Sequence, residues 1–391
     1  MRKSIVIAAL TAVPLVASAS DGQNGHDWLV AETKRQLEGC RLKSDSGIWL
    51  HTPDGIAHYE ALWTRDFYYY LKFAGDLISK EEAKASIIYM AAGQRADGCA
   101  PDRVNAKGIP IYSPGGEDNP LADHAKDNGP CFALAVCEYA RRYDDMEYFE
   151  TIEPRLKRAI DHVSRAENGL VYNPADNPQC VYGFTDIVAK TGHVLFTSLL
   201  YYQACDELAR LSEIVESEHQ DEYRRRANLI KRNIGLLWDD ESGMFFAADQ
   251  DCRQIDVWGS MLAIHVGVAT EARRERILDY FITNLDGLVK NGQVRHLPQG
   301  EFWERFFDEI PESSTKPGTY QNGAYWSTPL AWIVPALAQA DPEKARRLVL
   351  DTVADFRANG TAECVNVDYR KVPDYVPSIT SLYSVRRWLL E

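Results

Sequence analysis

Apolar residues recur along this chain at intervals of three and four, and runs that alternate in the β manner are scarce, so the pattern predicts an all-α protein. Twelve helical segments can be drawn, over 26–39, 62–78, 80–94, 126–143, 147–165, 187–212, 217–238, 254–267, 271–286, 323–339, 342–359 and 377–390. Two alternations run through them. The breaks after the even-numbered segments are only a few residues long, as at Ile78-Ser79-Lys80 and Asp144-Asp145, which predicts antiparallel neighbours. The breaks before the even-numbered segments (40–61, 95–125, 166–186, 239–253, 287–322 and 360–376) are long and rich in Gly, Pro, Asn and Asp. Long structured loops within a compact domain tend to carry function.

The second alternation is in polarity. Even segments such as Cys131 to Cys137, Val194 to Leu200 and Trp258 to Ile264 are apolar nearly all round, whereas odd ones such as Asp221 to Arg226, Glu271 to Arg276 and Glu343 to Arg347 have a charged face. A helix apolar on every side is buried and an amphipathic one lies at the surface. Six helical hairpins closed into a ring, inner helices even and outer helices odd, satisfy both alternations within one domain over residues 20–391. Even segments start at intervals of roughly sixty residues, a supersecondary period. Every long loop then falls at one mouth of the ring.

Composition narrows the setting. Met1-Arg2-Lys3, an apolar run from Ile5 to Val16 and Ala17-Ser18-Ala19 match a secretory signal over residues 1–19, so the mature chain is expected to start near Ser20 and to be secreted or periplasmic. The apolar run is too short to span a membrane, which takes roughly 20 residues, and no later stretch approaches that length, so no membrane insertion is expected. Removing Arg2 and Lys3 from the 43 basic residues leaves 41 against 57 acidic ones, a net charge of −16. That balance disfavours nucleic acid and anionic lipid and favours a neutral small molecule. The eight cysteines lack zinc-type spacing; as an exported protein the chain is open to one or two disulfides between loop cysteines or to buried free thiols. Neither a Gly-rich phosphate loop nor a metal-ligand cluster calls for a cofactor, and the protein is expected to act as a monomer.

The unusual residues gather at the expected mouth. Trp63-Thr64-Arg65-Asp66, Asp127-Asn128-Gly129-Pro130, Tyr182-Gly183-Phe184-Thr185-Asp186, Asp256-Val257-Trp258-Gly259, Tyr320-Gln321-Asn322-Gly323-Ala324-Tyr325-Trp326 and Asp374-Tyr375-Val376 all stand at or just before even segments. Any single Asp or Asn there could be an N-cap, and Arg65 with Asp66 could be a salt bridge. Capping, however, needs no indoles. Flat aromatic faces beside carboxylates, amides and a guanidinium suit a polyhydroxylated sugar ring. Cleaving a glycosidic bond would then take two carboxyls, one to protonate the leaving oxygen and one to attack or to activate water.

With these motifs the chain resembles the six-hairpin glycosidases, the superfamily of glucoamylases, trehalases and processing α-glucosidases. Trp63-Thr64-Arg65-Asp66 is similar to the glucoamylase W-T-R-D segment, which implies that Arg65 and Asp66 hold the sugar beside Trp63. Tyr182-Gly183-Phe184-Thr185-Asp186 resembles the G-W-D segment of trehalases and processing glucosidases, with Thr185 interposed, and implies Asp186 as general acid. Glu363, in the loop before the twelfth segment, stands where these families carry the general base. Gln321-Asn322-Gly323-Ala324-Tyr325-Trp326 is similar to a sugar-binding N-G-x-x-W loop. The resemblance implies an (α/α)6 toroid and an inverting glycoside hydrolase acting on an α-glucoside or similar oligosaccharide. Its catalytic pair would be Asp186 and Glu363, with Trp63, Arg65, Asp66, Asp127, Asn128, Trp258, Gln321, Asn322, Tyr325 and Trp326 binding substrate. The alternatives are a non-catalytic carbohydrate-binding toroid and a sugar epimerase or polysaccharide lyase on a similar ring, the latter lacking an obvious His pair. His193 could be a sugar ligand or a hydrogen-bonded wall residue.

Overall fold

The computed structural model describes residues 19–391 apart from Tyr182; the expected signal segment lies outside these, except for its last residue. Its twelve principal helices are α1 (Ala19–Gly39), α2 (Thr64–Ala74), α3 (Lys80–Ala92), α4 (Asn128–Arg142), α5 (Met146–His162) and α6 (Leu195–Ile214). There follow α7 (Gln220–Asn233), α8 (Val257–His265), α9 (Glu271–Thr283), α10 (Leu330–Leu337), α11 (Pro342–Asn359) and α12 (Val376–Ser384). The even helices pack in a closed cycle, α2 on α4, α4 on α6, α6 on α8, α8 on α10, α10 on α12 and α12 back on α2. The molecule is therefore an (α/α)6 toroid. None of the described helices is long and apolar enough to cross a membrane.

The two layers follow from polarity. Every residue of α4 from Asn128 to Ala140 is buried, and so is every residue of α8 from Val257 to Ile264. Outer α7 buries only Tyr223, Ala227 and Ile230, a single stripe at the spacing of one helix face. Trp258, Trp326 and Trp332 fill the centre of the ring, fully shielded from solvent, and Tyr69 lies over Trp332 and Phe184.

Each long loop carries a small antiparallel hairpin or ribbon: 41–43 with 49–51, 103–105 with 61–63 and 110–111, 172–173 with 192–193, 238–239 with 244–245, 289–290 with 293–294, and 362–366 with 369–373. These loops are tied to one another in the order of the ring. The first N–H of α2, at Thr64, donates to Asp102 O in the loop before α4 (2.9 Å); that of α6, at Leu195, to Ala247 O before α8 (2.9 Å). That of α8, at Val257, donates to His296 O before α10 (2.9 Å), and that of α12, at Val376, to Pro53 O before α2 (2.8 Å), which closes the circle. Lys126 N to Cys180 O and Tyr325 N to Val365 O, both 2.8 Å, make the two remaining links. Donors that a helix start would otherwise leave orphaned are thus satisfied by the neighbouring loop.

Three helix starts differ from the expected ones, the first of them at Ala19 rather than 26. The sixth begins at Leu195 rather than 187, because Gly192 and His193 pair as a strand with Asn173 and Tyr172. Gly192 has φ +83°, and a Cβ there would stand 2.0 Å from an Asp249 carboxylate oxygen, so neither a helix nor a larger residue fits. The tenth begins at Leu330 rather than 323, because Tyr325 bridges to Val365 and Trp326 to Val294 in extended conformation. All eight cysteines are buried and free, so no disulfide joins the loops.

Candidate active site

At the mouth, the loops enclose a cavity of about 360 Å3. Its wall includes Trp63, Arg65 and Asp66 from the start of α2, Phe184 and Asp186 from the loop before α6, Gln321 and Trp326 from the loop before α10, and Glu363 from the loop before α12. Seven residues expected to bind or act on a sugar therefore share one wall: Trp63, Arg65, Asp66, Asp186, Gln321, Trp326 and Glu363. Tyr59, Tyr320 and Tyr375 complete the aromatic lining.

Glu363 lies on the strand Ala362–Asn366, whose hairpin partner Tyr369–Pro373 brings Lys371 beside it. Lys371 Nζ donates to Glu363 Oε2 at 2.5 Å and lies 3.7 Å from the centre of the Tyr320 ring. The Tyr59 hydroxyl donates to Glu363 Oε1 at 3.1 Å. Tyr59 is itself fixed by the turn before it, where the buried Asp54 carboxylate accepts the backbone N–H groups of Ile56, His58 and Tyr59. Glu363, only 2% exposed, is thus an ion-paired acceptor whose two oxygens are both engaged.

Asp186 follows a single 3-10 turn, Gly183–Thr185. The Gln321 side chain clamps it: Nε2 donates to Asp186 Oδ1 at 2.5 Å, and Oε1 accepts the Ile187 N–H at 3.1 Å. Burial raises the Asp186 carboxyl to about 6, against the lowering effect of Arg65 and of the Gln321 amide. Burial also lifts Asp66 to about 7, although Arg65 and the Tyr375 hydroxyl, which donates at 3.2 Å, pull the other way. Burial and the nearby Glu363 push Tyr59 and Tyr320 well above the usual phenol range, so both remain protonated hydrogen-bond donors.

Arg65 does not pair with Asp66. Its Nε donates to Asp127 Oδ2 at 2.7 Å and its Nη2 to Asp102 Oδ1 at 3.2 Å, all three groups being nearly solvent-free. Asp127, expected to bind substrate, is thus spent on Arg65 and lies outside the cavity wall. Asn128 donates to the carbonyls of Ala100 and Tyr112 and pins two points of the preceding loop to the start of α4. Asn322 holds Trp303 N–H and Thr315 O in the same manner. Trp258 is stacked on His296 with centroids 3.5 Å apart, in the core below the cavity. Tyr325 packs by Arg295 and pairs with Val365, away from the cavity. These five expected substrate contacts are structural. Asp256 caps α8 by accepting the Gly259 N–H at 2.8 Å. His193 is held between Asp249 (2.6 Å) and Asn168 (3.0 Å), the wall-residue alternative.

Tyr59 and Lys371 are wall and brace residues that spacing does not mark, since each acquires its meaning only from its contact with Glu363, 304 residues away in sequence for Tyr59 and 8 for Lys371. Among the described residues no group of three or more His, Cys, Asp or Glu is arranged to hold a metal ion.

Comparison with known proteins agrees with this geometry. Residues 183–366 match the family model described as the mannosylglycerate hydrolase MGH1-like glycoside hydrolase domain, a span that contains both Asp186 and Glu363. No curated protein matches the chain. Among solved structures, the GH63 mannosylglycerate hydrolase from Thermus thermophilus in complex with glucose superposes with a TM-score of 0.63 at 14% identity, covering 91% of this chain and 99% of that one. The rhamnosidase from Klebsiella oxytoca with rhamnose bound superposes with a TM-score of 0.65 at 15% identity, covering 97% of this chain and 66% of that one. At these identities the likeness to solved structures is one of fold. Residues 183–366 thus match a glycoside hydrolase domain, and the closed ring of hairpins around them is the fold of these solved glycoside hydrolases.

Proposed function

We propose that the protein is an inverting glycoside hydrolase that removes one neutral hexose from an α-glucoside or a similar small glycoside, with Asp186 as general acid and Glu363 as general base. The observation that carries this reading is the contrast between two carboxyls lining one small cavity. Asp186 is raised to about 6, so it holds its proton closer to neutrality than an ordinary carboxyl. Glu363 is ion-paired and accepts at both oxygens, from Lys371 and Tyr59, the setting of an acceptor rather than of a proton donor. Water attacking from the far face of the sugar would require the two carboxyls to stand roughly 6.5–9.5 Å apart in the complex.

The cavity, bounded by side chains from the loops before α2, α6, α10 and α12, suits a single sugar unit. Solved structures of the same fold are described as holding glucose and rhamnose, which supports a neutral hexose here. Trp63 and Trp326 supply apolar faces for the ring, and Asp66 with Gln321 supplies groups for its hydroxyls. The reading takes the protein as an exported monomer, on the signal-like residues 1–19; the N-terminal sequence of the mature protein should begin near Ser20.

The test is a panel of aryl glycosides and disaccharides, followed by proton NMR of the first sugar released from the best of them. The anomer opposite to that of the substrate is expected. Release of the retained anomer would mean a covalent intermediate and overturn the mechanism.

A further inference from the structure

Beside the sugar cavity, and sharing Tyr59, Trp63, Asp186 and Tyr320 with it, lies an open vestibule of about 970 Å3. Asp186 at the border of the two spaces is where a leaving oxygen would pass, so the vestibule is where the departing group would sit. This rests on the reading of Asp186 and Glu363 given above.

Two features of the vestibule wall bear on what that group is. The first is apolar. Leu121, Ile187, Ile310 and Pro114 line it together with the rings of Trp63 and Tyr320. Leu121 and Ile310 come from two different long loops and meet over a small core of their own with Ile187 and Trp303. The second is the state of its charges. Arg103 is the only Arg or Lys among the described lining residues, and it is already engaged. Its Nη1 donates to Asp102 at 2.9 Å and to Ser113 O at 3.0 Å, its Nη2 to Gly115 O at 2.7 Å, and its face lies 4.5 Å from the centre of the Trp63 ring. Glu60 and Glu117 are exposed at the rim, alongside His58. On the cavity side Arg65 is tied to Asp102 and Asp127, and Lys371 to Glu363. A carboxylate entering this space would meet two acids and an arginine that would have to abandon buried partners, a costly exchange. An apolar face entering it would be removed from water against three aliphatic side chains and two rings.

We propose that the vestibule is an aglycone subsite that selects an uncharged leaving group with an apolar face, of the phenylalkyl kind, and rejects anionic aglycones such as glycerate. The mannosylglycerate hydrolase relatives by name release a carboxylate-bearing group; this chain is read as sharing their fold while differing from them in the aglycone it accepts.

The experiment compares three alkyl glycosides of one sugar, the 2-phenylethyl, the glyceryl and the glycerate glycoside, built on the glycone that turns over fastest in the panel above, or on D-glucose if none does. Alkyl leaving groups keep differences in leaving ability small. The expected kcat/KM for the phenylethyl glycoside is at least about tenfold above the other two, the scale of discrimination that an apolar pocket supplies. Ile310→Ser and Leu121→Ser should each narrow that gap by several-fold, lowering kcat/KM for the phenylethyl glycoside more than for the glyceryl one. Equal rates, or preference for the glycerate glycoside, would overturn the proposal. Calorimetric binding of the same three compounds to wild-type and Asp186→Asn protein separates the two readings. The same order of affinity without turnover sustains the aglycone subsite and counts against hydrolysis, whereas flat affinities overturn the subsite whatever the rates.

Discussion

The inner and outer helices begin in different ways. Outer α3, α5, α9 and α11 open on Ser79, Asp145, Thr270 and Asp341, whose side chains accept the N–H of the third residue on. Inner α2, α4, α6, α10 and α12 open on Trp63, Asp127, Val194, Pro329 and Tyr375 with no side-chain cap, and only α8 has one. These four outer starts solve a local problem locally, whereas outer α7 opens on His219 with no side-chain cap. At most of the inner ones the donors are satisfied by the next loop round the ring, so the residue before the helix is released from capping. It can then be an indole or a phenol facing a ligand. The cost is mutual dependence, because each mouth loop is braced by its neighbour. Substitutions at the inner starts should therefore affect chemistry or the whole mouth, and those at the outer starts only local stability.

The largest effect should come from the two carboxyls. Glu363→Gln and Asp186→Asn are each expected to lower kcat by about 10²–10⁴, the usual worth of a general base or acid, in protein that still folds. Steady-state kinetics on the best substrate checks this; a loss below tenfold at Glu363 would remove it from the role of base. In the wild type, the Asp186 proton leaves near 6. Because the acid must be protonated, kcat/KM should fall as pH rises through that value, and the limb should vanish in Asp186→Asn.

Arg65 and Asp66 are adjacent and should separate cleanly. Arg65 bridges two buried carboxylates. Arg65→Ala would strand both, at a cost of about 3–5 kcal/mol in stability, measurable by denaturant unfolding. Asp66 is the reverse case. Its folded-state proton affinity is raised, to about 7, so its contribution to stability is most favourable below the ordinary carboxyl pKa of roughly 3.9 and is lost as pH rises through 7. Asp66→Asn should thus raise the melting temperature at pH 8, with no gain at pH 4, while weakening sugar binding by about 1.5–3 kcal/mol. Equal destabilisation of both variants at pH 8 would mean that the pair works as one structural unit.

That separation could not be read from sequence. Trp63-Thr64-Arg65-Asp66 announces a site, but the partners of Arg65, at Asp102 and Asp127, come from a long loop and from the start of α4, whose spacing carries no period. The ring itself was legible because burial leaves a strong trace: α4 and α8 are apolar on all sides and α7 on one. Helix starts were less so at 187–194 and 323–329, where apolar residues serve loop-to-loop bridges rather than a helix face. Asp186, Glu363, Gln321 and Trp326 were found by motif. Asn128, Asn322, Trp258 and Tyr325 carry the same residue types but are turned to bracing and core packing, a difference that only contacts reveal.

The smallest effect belongs to the outer layer. Asp341 caps α11 by accepting the Lys344 N–H at 2.9 Å, and its other oxygen takes the Lys344 ammonium at 2.6 Å. The Lys344 side chain and the backbone N–H groups of the first turn hold the Asp341 carboxyl below its ordinary range. A depressed pKa contributes stability that is present above roughly 3.9, the unfolded value, and is lost as pH falls through the folded one. Asp341→Ala is therefore expected to cost about 1 kcal/mol at pH 7, the usual worth of a cap, and the difference from wild type should shrink as the pH is taken below 4. KM and kcat at pH 7 should not move, since α11 starts at the end of the ring away from the loops that carry the cavity. A change in kinetics from this substitution would show that the two layers are mechanically coupled, and that local capping outside and shared bracing inside are not the independent devices that the helix starts describe.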